Sequence, residues 1–71
     1  MIEKTHLTHW FTYHAPEEGQ PAKYEEIRKA GLTFATVILE LTPSCADQSA
    51  AIRLVREAVF TANAAIACKG K

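Results

Sequence analysis

Two apolar seams with the period of a packed helix, separated by a single proline, constrain this chain more than any other feature. The first runs Tyr24, Ile27, Gly31, Phe34, Ile38, Leu41, in steps of 3-4-3-4-3. The second runs Ile52, Val55, Val59, Ala62, Ile66, in steps of 3-4-3-4. Such spacing places the apolar residues on one stripe of an α-helix. Pro43 must end the first helix, and it pushes Thr42 out of the α region. Pro21 suits a first helical turn, and Glu25 and Glu26 lie early, where the helix dipole favours acids. Ser44 reads as the N-cap of the second helix, with Asp47 three residues on as in a capping box. Gly70 reads as the terminator. The expectation is helix 1 over about 21–41 and helix 2 over about 45–68. A connection this short makes them antiparallel neighbours. Each would be roughly 30–36 Å long at 1.5 Å per residue. Gly31 within a seam costs roughly 1 kcal/mol relative to alanine, so a close approach of another helix is expected there.

Residues 1–20 have no such period. They hold His6, His9, His14, Trp10, Phe11, Tyr13, Pro16 and Gly19. Trp10 to Tyr13 favour β structure, and Ala15–Gln20 reads as a loop. The fold class expected is therefore all-α: a two-helix hairpin over 21–69, preceded by an irregular or short extended arm over 1–20.

A chain of 71 residues forms one domain, and a single core of that size rarely supplies more than a few kcal/mol. Disulfides are a poor remedy, since only Cys45 and Cys68 are present and no signal peptide precedes them. Each helix instead carries a second stripe: Arg28, Leu32, Ala35, Leu39 on the first, and Arg56, Phe60, Asn63, Ala67 on the second. A lone hairpin exposes Leu32, Leu39, Leu54 and Phe60, so a homo-oligomer is expected. The alternative is that they pack only on the N-terminal arm. Absence of any run near 20 apolar residues argues against a membrane span. The expectation is an intracellular, soluble, reduced protein. Eight basic and eight acidic residues balance to zero charge, which disfavours DNA or RNA polymers as partners. A small anionic ligand needs only one or two arginines.

Three constellations offer binding chemistry. Trp10-Phe11-Thr12-Tyr13-His14-Ala15-Pro16 presents rings that stack on bases, or else a hydrophobic arm that clamps the hairpin. Arg56, Phe60 and Asn63, at i, i+4 and i+7, share one helix face and suit a phosphate, a base face and a base edge. Alternatively they form an interface, with an Arg–Glu pair and a satisfied amide. Tyr24 and Arg28 share a face of helix 1, where Arg28 either reaches the His14–Pro16 loop or stacks with Glu25. His6 and His9 with His14 offer three imidazoles for zinc. The spacing is unspecific, however, and no cysteine is near them in sequence. No metal and no cofactor is expected. No nucleophile is paired with a base, and Gly19, Gly31 and Gly70 are isolated, so no catalytic residue is expected.

Four segments resemble a known family: Phe11-Thr12-Tyr13-His14-x-Pro16, Tyr24-x-x-Ile27-Arg28, Pro43-Ser44 and Arg56-Glu57-Ala58-Val59-x-x-Ala62-Asn63-Ala64-Ala65-Ile66-Ala67. Together they are similar to the short phage anti-defence hairpin proteins, the anti-CBASS and anti-Thoeris nucleotide sponges. The likeness covers about residues 11–67. It implies a hairpin assembled into a hexamer in the bacterial host cytoplasm. It also implies binding of cyclic oligonucleotides or cyclic ADP-ribose isomers at subunit interfaces, without cleavage. The ligand-binding residues it implies, taken with the faces above, are Phe11, Tyr13, His14, Pro16, Tyr24, Arg28, Arg56, Phe60 and Asn63. Relatives often carry Met-Trp where this chain has Phe60-Thr61, which moves or removes a large ring on that face. The rival reading is a helical-hairpin module that docks a host or phage protein.

Overall fold

The computed structural model describes residues 2–71, which form three helices and no strand. These are α1 (Lys4–Trp10), α2 (Gln20–Leu41) and α3 (Ala46–Ala67). Helices α2 and α3 form an antiparallel hairpin. Its open end joins Gln20 to the Ile66 carbonyl through Gln20 Nε2 (3.1 Å), and its closed end joins Gln48 Nε2 to the Leu39 carbonyl (3.3 Å).

The α3 seam is the one expected: Ile52, Val55, Val59, Ala62 and Ile66 are all half-buried. On α2 the half-buried residues are Gln20 at its start and then Tyr24, Ile27, Gly31, Ala35 and Ile38 along the seam. Phe34 and Leu41 lie outside this seam, 58% and 79% exposed. Ala35 replaces Phe34 because the helices are close here. A Cβ built on Gly31 would lie 2.5 Å from Val59 Cγ2, so a phenyl ring one turn away has no room between the backbones. The expected close approach at Gly31 is thus real, and Val59 is its other side.

The connection is Thr42 to Cys45. Thr42 is the C-cap, with extended backbone as its position before Pro43 requires. Gln48 Nε2 also donates to the Thr42 carbonyl (3.1 Å), so one side chain serves two carbonyls left without helical donors. Cys45, not Ser44, is the N-cap of α3, and no side chain caps it. Asp47 sits in the first turn, where it favours the dipole. Helix α2 starts at Gln20, one residue before the expected Pro21. Gly19 precedes it at φ 83°, a left-handed conformation that glycine adopts without penalty.

The N-terminal arm differs from expectation. Residues Lys4–Trp10 are helical, not extended. The Glu3 N–H donates to His6 Nδ1 (3.0 Å), capping the first turn, and the His6 ring stacks on Trp10 one turn later at 5.6 Å. Trp10 Nε1 donates to the Lys71 carbonyl (2.9 Å), and Lys69 pairs with Glu17 (2.7 Å). The arm is thereby tied across the C-terminal end of α3. That end closes with paired bonds from Gly70 N–H to the Ala65 carbonyl (2.9 Å) and from Lys69 N–H to the Ile66 carbonyl (3.1 Å). This is a Schellman turn, with Lys69 at φ 56° in the position glycine usually takes.

None of the described residues is buried. The radius of gyration is 15.2 Å, against about 11 Å for a compact domain of this length. One chain therefore has a seam but no enclosed core. None of its helices is long and apolar enough to cross a membrane.

Candidate functional site

The hairpin has two open grooves, both walled mainly by apolar side chains, and only one of them carries arginines at its rim. One is a groove of about 540 Å³ walled by apolar side chains, among them Ile27, Phe34, Ile38, Leu54 and Ala58. The other is a groove of about 340 Å³ rimmed by Arg28 on α2 and by Arg56 and Phe60 on α3, with Leu32 and Ile52 in its walls. The antiparallel packing brings Arg28 and Leu32 of one stripe beside Arg56 and Phe60 of the other, across the seam residues Gly31, Ala35, Val55 and Val59.

Arg56 lies over the Phe60 ring, 5.5 Å from its centroid. This cation–π contact holds the guanidinium at the groove while leaving its N–H donors available. Neither Arg28 nor Arg56 has a carboxylate within 4.0 Å among the described residues; the ion pairs present are Lys29–Glu25 and Lys69–Glu17. Glu25 thus chooses Lys29 (3.5 Å), the favourable i, i+4 order, rather than Arg28. The Arg–Glu alternative for Arg56 is likewise not formed. Arg28 and Arg56, each without a carboxylate partner among the described residues, are guanidiniums with donors open to an acceptor at the rim of one groove.

Asn63 is half-buried, and its Oδ1 is shielded with no hydrogen-bond partner. An unpaired buried carbonyl oxygen costs roughly 1–3 kcal/mol. The satisfied-amide alternative therefore does not hold within one chain. Asn63 lies one turn beyond Phe60 on α3 and does not line the arginine groove.

The remaining candidates are placed elsewhere. Phe11 and Tyr13 project into solvent, 87% and 83% exposed, with Pro16 exposed on the same loop. No hydrogen bond, ion pair or ring stack among the described residues joins them to Arg28 or Arg56. Tyr24 is half-buried in the α2 seam. The His14 ring turns inward and packs on His9, with ring centroids 4.4 Å apart. One arrangement was not visible in the sequence: His9, His14 and Cys68 meet. The signal was available only in combination. If the hairpin is antiparallel and the arm folds back over the start of α2, residues 9–14 fall beside the end of α3.

The comparisons bear on this geometry. The model of the Acb2/Tad1 hairpin domain matches residues 3–67. No curated protein and no solved structure matches the chain.

Proposed function

The chain belongs to the Acb2/Tad1 hairpin-domain family, that of the anti-CBASS and anti-Thoeris sponges, and on that premise we propose that it sequesters a cyclic messenger between copies of itself. Membership implies an anti-defence sponge role in general terms. The ligand class proposed is cyclic oligonucleotides or cyclic ADP-ribose isomers, held without cleavage in the cytoplasm of the bacterial host.

The observation that carries this reading is the groove where Arg28, Arg56 and Phe60 converge without a carboxylate partner. Arg28 and Arg56 hold the phosphates, and Phe60 gives a base a ring to stack on. The groove is open on one side, so a single hairpin cannot desolvate a ligand. A second copy closes it and brings what one chain lacks: the exposed rings of Phe11 and Tyr13, with Pro16 beside them. Asn63 finds its donor across the same contact, from the ligand or from the neighbouring chain. The wholly apolar groove on the opposite face is the surface on which copies pack, and a hexamer is the assembly proposed. His14 and Tyr24 support the loop and the seam beside the site. A sponge competes by mass action with an immune effector, so binding must be tight.

Calorimetry against a panel of cyclic di- and trinucleotides and cyclic ADP-ribose isomers tests this. At least one should bind, and Arg56→Ala should weaken that binding with the assembly intact. If Arg56→Ala disperses the assembly and no panel member binds, the chain is instead a helical module for docking a protein. The ligand-class reading then fails.

A further inference from the structure

We propose that His9, His14 and Cys68 form a binding site for a thiophilic divalent transition metal, zinc in the first place. The three residues come from separate segments: the last turn of α1, the loop before α2 and the C-cap of α3. One ligand atom from each lies within 4.8 Å of the others, and all three side chains are half-buried. Tetrahedral zinc with two nitrogens and one sulfur needs these atoms roughly 3.3–3.6 Å apart, given Zn–N near 2.0 Å and Zn–S near 2.3 Å. The required contraction is at most roughly 1.2–1.5 Å per pair. Side-chain rotation supplies it, because His14 is on a loop and Cys68 is at a helix end.

Backbone hydrogen bonds orient both imidazole rings of the triad. His9 Nε2 is 3.0 Å from the Cys68 carbonyl, and His14 Nε2 is 2.7 Å from the His9 carbonyl. A carbonyl oxygen only accepts, so each Nε2 must carry the proton. In each neutral ring that leaves the Nδ1 lone pair free. Backbone bracing of the second ring nitrogen is how metal-binding histidines have their tautomer and orientation fixed. Cys68 is a free thiol. On binding, its S–H bond is replaced by a sulfur–metal bond and the proton passes to solvent. One imidazole pair and one thiolate suit zinc, cobalt or copper rather than magnesium or calcium. Three protein ligands leave one tetrahedral position for water. The consequence is a clasp. The metal would fasten α1 and the Tyr13 loop to the end of α3, where single hydrogen bonds now hold them.

The test uses the full, reduced chain without an affinity tag, stripped with chelator and titrated with Co²⁺ alone. A thiolate-to-cobalt charge-transfer band should saturate and be bleached by Zn²⁺. Cys68→Ser should abolish the band and Cys45→Ser should keep it. His9→Gln and His14→Gln should each weaken binding at least about tenfold. Absence of the band, or a band that survives Cys68→Ser, overturns the proposal. A readout on the unsubstituted chain guards against misfolded variants. Zn²⁺ should slow alkylation of Cys68 but not of Cys45, and equal slowing or none contradicts the site. None of these readouts uses a nucleotide, so the metal site and the sponge reading stand or fall separately.

Discussion

Gly31 shows how a single residue sets the hairpin's spacing. A methyl group there meets Val59 Cγ2 at 2.5 Å, and valine's branched side chain has few rotamers with which to retreat. Alanine gains roughly 1 kcal/mol of helix propensity, but overpacking costs typically 1–3 kcal/mol. Gly31→Ala should therefore be neutral to destabilising by up to about 2 kcal/mol in chemical denaturation. Val59→Ala in the same chain should recover part of that loss, and simple additivity of the two changes would contradict the contact. Lys69 poses the opposite case. It occupies a left-handed position at φ 56°, and its ion pair with Glu17 is more than half exposed on both sides, so that pair is worth little. Lys69→Gly should stabilise the chain by up to about 1 kcal/mol. A loss of stability would mean the Glu17 pair outweighs the backbone strain.

At the scale of elements, periodic segments were legible and aperiodic ones were not. The α3 seam was readable residue by residue because Ile52, Val55, Val59, Ala62 and Ile66 keep an unbroken 3-4 step. On α2 both Phe34 and Ala35 satisfy a 3-4 spacing. Only the tight approach at Gly31 excludes the ring, and that is a property of the pair of helices. Helix α1 escaped detection because it has no apolar stripe. Its turn is set by Glu3 with His6 and by bonds from His9 and Trp10 to residues about 60 positions away. Ser44 was the better N-cap by residue type, yet α3 begins after Cys45. The turn's carbonyls are satisfied instead by Gln48. Gln48→Ala should cost about 1 kcal/mol in denaturation, as two modest bonds at a partly exposed site are lost. No change in stability would show that water replaces the amide. The residues at the groove, Arg28, Arg56 and Phe60, were legible by their spacing, whereas Asn63, read on the same face, lies outside that groove. What the sequence did not disclose was that Glu25 turns to Lys29, leaving Arg28 unpaired, or that His14 faces His9 and Cys68.

For the whole molecule, the absence of any buried residue among those described bears directly on assembly. Phe34, Leu32, Leu54 and Phe60 are each more than half exposed, on both faces of the hairpin. At roughly 25 cal/mol per Å², burying these side chains between copies would favour the proposed association. Sedimentation at micromolar concentration should give a multiple of the 7.8 kDa chain mass, and Leu54→Glu should lower it. A monomer would contradict the proposed interface and, with it, the proposed ligand site.

The central claim is capture without chemistry, and recovery of the ligand tests it most directly. The intact protein is mixed with the panel member it binds, freed of unbound ligand, then denatured and filtered. The filtrate should contain the messenger intact, in fixed proportion to the chain. The same filtrate should again activate the messenger's effector. A cleaved or altered nucleotide, or none, would contradict it.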